Sequence, residues 1–111
     1  MEQPEIEEMF AALGRVTIRR IFGGKGIYFQ GTIIAVAFQG DILLKADDVS
    51  APAFEAAGAV RWAYEGKQGK AVNMPYWSIP AEAFDDSDVM AQWVRLAHEA
   101  GLRSGKGKSD R

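Results

Sequence analysis

The run Gly23-Gly24-Lys25-Gly26 is the segment whose residue types come nearest to a phosphate cradle, because glycine amides beside a lysine can surround an anion. The detail does not match. A Walker loop needs Ser or Thr directly after its Gly-Lys pair, and Lys25 is followed by Gly26. A dinucleotide fingerprint opens a helix, whereas Ile27-Tyr28-Phe29 reads as strand. These glycines therefore predict a bend or bulge in a sheet. His98 is the one histidine and there is no cysteine, so no pair of soft metal ligands can form. Its predicted place is near the end of a last helix, where a cation suits the dipole. Asp85-Asp86-Ser87-Asp88 lacks the alternating ligands and the length of a calcium loop and reads as the acidic opening of that helix. Ser50, Ser78 and Ser87 lie outside any Gly-x-Ser-x-Gly elbow. The sequence thus predicts no catalytic residue, no metal site, no cofactor and no enzyme activity.

Charge is more informative. Between Met9 and Gly40 there is no Asp or Glu, while Arg15, Arg19, Arg20 and Lys25 are all present. From residue 103 onward, Arg103, Lys106, Lys108 and Arg111 stand against Asp110 alone. The net charge of −2 therefore leaves residues 1–102 at −5. A dedicated duplex-DNA reader is basic over its body, because phosphate contacts release counterions in proportion to the cations supplied. An acidic body with one basic strip instead suits docking on an acidic surface. Met74-Pro75-Tyr76-Trp77 adds two large aromatics. Trp77 is assigned to the core and Tyr76 to the opposite, exposed side. The predicted partner-binding residues are Arg15, Arg19, Arg20, Lys25 and Tyr76. A small-ligand pocket near Trp62, Tyr64 and Trp93 has only its aromatic content behind it.

The elements that must position these residues follow from periodicity. Ile6, Met9, Phe10 and Leu13 mark one face of a helix between Pro4 and Gly14. Val16–Phe22, Ile27–Phe29, Thr32–Phe38 and Ile42–Lys45 read as an antiparallel meander with turns at Gln30-Gly31 and Gln39-Gly40-Asp41. The strand Thr32–Phe38 is apolar on both faces, as a central strand should be. Asp47, Asp48 and Ser50 offer caps for a short helix through Phe54 that ends at Gly58. Residues 60–64 and 71–79 predict two more strands, the second at an edge or bulged because Pro75 cannot donate to a ladder. A final helix, capped by Asp85 or Ser87, carries Val89, Trp93, Leu96 and Ala100 on one face and ends at Gly101. Residues 103–111 lack apolar side chains and are expected to form a disordered basic tail after a single domain at 1–102. The order α-β-β-β-β-α-β-β-α predicts a two-layer α+β fold, not a doubly wound one. The longest apolar run, Ile33 to Phe38, is far short of the ~20 residues of a membrane helix. With an acidic N-terminus and no cysteine, a cytoplasmic location is expected.

Several segments together resemble one family. The run from Leu13 through Gly14-Arg15-Val16-Thr17-Ile18-Arg19-Arg20-Ile21-Phe22-Gly23-Gly24-Lys25-Gly26 to Tyr28 is similar to the opening signature of the TfoX/Sxy N-terminal domain. So are Leu44–Asp47, Pro52–Gly58, Tyr64–Gly66, Tyr76-Trp77, Ile79-Pro80 and the closing Asp85–Ala100 helix. The resemblance implies a secretion-chaperone-like α+β domain of bacterial origin. It also implies a regulatory, transcription-linked role as a single-domain relative of competence regulators. Members that add a helical C-terminal domain act as coactivators with the cyclic-AMP receptor protein, so the implied partner is that protein or other transcription machinery. The resemblance supplies no catalytic residues. A weak nucleic-acid interface along Arg15–Lys25 and the tail is the alternative expectation, and an exposed edge strand would also permit a homodimer.

Overall fold

The computed structural model describes residues 3–21 and 23–109. Among these residues the elements run α1 (Gln3–Met9), β1 (Thr17–Ile21), β2 (Gly24–Phe29), β3 (Thr32–Phe38), β4 (Asp41–Lys45), α2 (Ala51–Ala56), β5 (Arg61–Glu65), β6 (Ala71–Ser78) and α3 (Ser87–Ser109). Short 3-10 turns at Lys67–Gly69 and Ala81–Asp85 join the later elements. This is the α+β order that the sequence predicts. Phe22, assigned to the first strand, lies outside the described residues.

All six described strands form one antiparallel sheet in the order β1-β2-β3-β4-β6-β5. Gln30-Gly31 and Gln39-Gly40 close their hairpins with positive φ at both residues, the turn that matches strand twist. Pro75 is not on an edge. The strand β6 lies between β4 and β5, so of the two expected settings, an edge or a bulge, the structure shows the bulge, in the interior of the sheet. A bulge makes this tolerable: Arg61 faces Trp77 and Ala63 faces Asn73, which leaves Met74, Pro75 and Tyr76 opposite Trp62. The Arg61 Nε donates to the Met74 carbonyl there at 2.9 Å, and the Pro75 carbonyl accepts from Ala46 N.

The helices pack on one face of the sheet. Ile6 from α1 and Phe10 just after it meet Ile27, Ile34, Ala35, Leu44 and Trp77 from the strands, and Met90, Val94 and Ala97 from α3, in one core cluster. Phe54 enters from α2, with its ring 4.7 Å from Trp93 and 6.1 Å from Trp77. The buried stripe of α3 is Met90, Val94, Ala97, Ala100 and Gly101, one position on from the predicted one, and Val89 and Trp93 lie at its flank. Its cap is Asp86, whose Oδ1 accepts from Asp88 N at 2.9 Å, instead of Asp85 or Ser87.

Gly101 does not end α3, which continues to Ser109 across the boundary expected after residue 102. The reason is tertiary. A Cβ on Gly101 would lie 2.7 Å from Thr32 Cγ2 and 2.8 Å from the Ile33 carbonyl oxygen, so the residue serves close approach of helix to sheet. Residues 103–109, expected as disordered tail, therefore begin as helix, and Asp110 and Arg111 lie outside the described residues. His98 consequently sits mid-helix, edge-on to Phe29 with ring centres 4.9 Å apart, and not at a helix end.

Arg103 is anchored. Its guanidinium donates to both Asp47 carboxylate oxygens, at 2.5 and 2.9 Å, and ties α3 to the turn before α2. The same carboxylate accepts from Ser50 N and Val49 N, while the Ser50 hydroxyl folds back to accept from Asp47 N. Arg103 and the Ser50 amide hold the Asp47 carboxyl well below the usual carboxylate range. A depressed folded pKa means stability that is present above the unfolded value and lost as pH falls through the folded one. With the Arg103 side chain 40% exposed, solvent screening limits the pair to about 1 kcal/mol. Arg103→Ala should thus be about 1 kcal/mol less stable than wild type at pH 7. The two should converge as pH is lowered below about 4 in urea titrations. A constant gap down to pH 2 would show that packing, not charge, sets the difference.

Candidate docking face

Strand alternation and register define the sheet face turned away from the helices. Arg19 pairs with Gly26, Gly26 with Val36, Val36 with Leu43 and Leu43 with Ser78, so these five positions cross that face in one row. Tyr28 and Ile33, and Lys45 and Tyr76, form cross-strand pairs beside it. Val36 and Tyr76 are buried yet absent from the core cluster beneath the helices, as expected of residues on the far side. Ile33, Leu43, Phe38 and Trp62 are half-buried there. An antiparallel sheet with one uncovered face normally presents polar residues to water; this one presents aliphatic and aromatic ones.

The rings on this face are held in place. Trp62 lies 5.2 Å from Phe38 and 6.3 Å from Tyr76, centre to centre. Gly26 leaves room for Tyr28 to lie back along its own strand, since a Cβ there would come within 2.9 Å of the Tyr28 ring. Cations stack on two rings. The Arg19 guanidinium carbon is 5.6 Å from the Tyr28 centroid, and Lys45 Nζ is 5.2 Å from that of Tyr76. Burial, with a smaller contribution from the Tyr28 phenol, pushes the Tyr76 hydroxyl above its ordinary pKa, so it stays neutral.

The predicted site residues divide between the two faces. Arg19 and Tyr76 share the helix-free face, but Tyr76 is only 7% exposed, which corrects its expected exposure. Trp62 and Lys45, contributed by other strands, lie against it, and no local pattern around residue 76 announces them. Arg20, one residue along the strand from Arg19, points the other way and pairs across the hairpin with Lys25. These two line a shallow cleft of about 410 Å³ between the β1–β2 and β3–β4 turns, together with Gly23, Gly24 and Asp41. Arg15 is exposed ahead of β1. Trp77 is in the core, as expected. The pocket weighed near Trp62, Tyr64 and Trp93 does not form, because Trp62 is on the helix-free face and Trp93 packs against Phe54 beneath the helices; the Tyr64 side chain is outside the described residues. Sequence reasoning missed Lys45, Leu43, Val36 and Phe38 as members of this face. For Val36 and Phe38 the signal was present in the two-sided apolar character of β3.

Acidic residues gather elsewhere, in a cleft of about 570 Å³ between the first helix and the start of α3, where Glu5, Glu8, Asp85 and Asp86 surround Met9 and the exposed Phe84. No helix among the described residues is long and apolar enough to cross a membrane.

The molecule is thus a two-layer α+β domain whose antiparallel sheet is helix-covered on one side and carries an ordered aromatic and cationic surface on the other. The sequence model of the TfoX N-terminal domain matches residues 8–101, and the chain belongs to that family. No curated protein matches it.

Proposed function

We propose that this domain is a non-enzymatic interaction module linked to transcription, a coactivator-type unit that docks on a protein partner. The observation that carries the reading is the state of the cationic strip. Arg15, Arg19, Arg20 and Lys25 are all exposed, and none forms an ion pair among the described residues. An exposed cation without an internal carboxylate contributes little to stability and much to encounter with an acidic surface. Membership of the TfoX N-terminal domain family supports the link to transcription, with the cyclic-AMP receptor protein or other transcription machinery as the partner class. The nucleic-acid alternative loses one of its cations, since Arg103 is bound by Asp47.

The test is affinity capture from extract of the source cell, with mass spectrometry of what is retained. Wild-type domain should recover a transcription protein, and Arg19→Glu/Arg20→Glu should lose it with a melting temperature within a few degrees of wild type. Recovery undiminished by the double reversal, or recovery of nucleic acid alone, overturns the reading.

A further inference from the structure

On the helix-free face aliphatic and aromatic side chains lie buried or half-buried between two cations, and that charge pattern restricts what can cover them. Resting on the interaction reading above, we propose that this face is the docking surface itself, and that its occupant is an acidic amphipathic helix of the protein partner. The centre is aliphatic: Ile33, Val36 and Leu43 lie side by side on β3 and β4. Arg19 on β1 and Lys45 on β4 flank it three strands apart, which is ~14 Å at the usual spacing. A helix with its side chains is ~10 Å across, so it fits between them. Apolar residues at i, i+3, i+4 and i+7 would cover the aliphatic centre, and carboxylates on either flank would meet the two cations.

Other occupants fit less well. Base stacking needs ring faces turned to solvent. Here Arg19 lies over Tyr28, Lys45 over Tyr76, and Trp62 is tilted against Phe38 and Tyr76. A second copy docked face to face about a two-fold axis would bring two sets of Arg19 and Lys45 into one interface, where Asp41 on the rim is the one carboxylate of these strand positions.

The experiment titrates the ¹⁵N-labelled domain with a synthetic helix bearing leucines at i, i+3, i+4 and i+7 between glutamates. A peptide with lysines in place of the glutamates and an oligodeoxythymidine serve as comparisons. The acidic peptide should shift the amides of Arg19, Tyr28, Ile33, Val36, Leu43 and Lys45, and the basic one should not. Leu43→Glu and Arg19→Glu should each weaken it by roughly tenfold. Arg19, being exposed, provides the second variant should the first alter folding. No shift on this face, equal binding of the basic peptide, tighter binding of the oligonucleotide there, or a dimer in sedimentation that Leu43→Glu dissolves each overturns the proposal. Failure of the broader reading looks different. If extract capture survives Leu43→Glu and is lost on reversing Arg19 and Arg20, the partner docks elsewhere and only this inference falls. If the wild type retains no transcription protein, the broader reading falls, and the peptide titration decides the face by itself.

Discussion

Leu44→Glu should abolish cooperative unfolding, while Leu43→Glu, one residue away on the same strand, should leave a melting temperature within about 5 °C of wild type. The two leucines sit on opposite faces of β4. Leu44 is fully buried, paired with Ala35 on one side and Trp77 on the other, beneath the helices. A carboxylate there has no cation available within the core cluster, whose members offer a single side-chain donor, the Trp77 indole N–H. An uncompensated buried charge costs upward of about 4 kcal/mol, a large part of the ~5–15 kcal/mol that holds a domain of this size together. Leu43 is half-exposed between Val36 and Ser78, and a glutamate at that position can turn its head to water. Near-UV circular dichroism and thermal melts of the two variants measure the contrast. Equal damage from both would mean that the second face is covered in the isolated domain, and the two-layer description would fail.

That contrast also marks what the sequence reveals and what it withholds. The stripe Ile6, Met9, Phe10 and Leu13, the Gln-Gly turns and the alternation of the strands are local properties, and each predicts its element, although the first helix ends at Met9 and leaves Phe10 and Leu13 in the turn that follows it. The apolar run of β3 is local too, and it reads as a central strand, which it is. What covers each side of it is not local. One side receives α3 and the other receives nothing from this chain's described residues, a distinction that depends on where all the helices go. The insertion of β6 between β4 and β5 is a long-range pairing, and so the sequence leaves Pro75 between an edge and a bulge, of which the structure shows the bulge. The basic strip shows the opposite case. Its division was legible, because neighbours on a strand point to opposite faces, and a patch joining Arg19 to Arg20 ignores the period of two. Tyr76 follows that alternation, but its burial comes from Trp62 and Lys45, distant in sequence.

Gly101→Ala should destabilise the domain by about 1–3 kcal/mol, although the same change at an exposed helix position stabilises by up to ~1 kcal/mol. The sequence reads Gly101 as a helix terminator, and on that reading alanine would simply lengthen the helix. In the structure the helix already continues, and at the glycine it comes close to β3. The added methyl overlaps a flexible partner, Thr32 Cγ2, and a rigid one, the Ile33 carbonyl. Relief requires the helix to lift from the sheet, which loosens Ala97 and Val94 against Ile34 and opens gaps that cost further stability. A drop of roughly 5–15 °C in melting temperature is expected. Gly101→Val should cost more, since two branches meet the same wall. Thr32→Ser removes the methyl but not the carbonyl, so the double variant Gly101→Ala/Thr32→Ser should recover part of the loss and not all of it. Full recovery would assign the clash to the threonine alone. A gain in stability from Gly101→Ala by itself would mean that helix and sheet are not in close contact at this point, and with that the placement of the last two turns of α3 would be wrong.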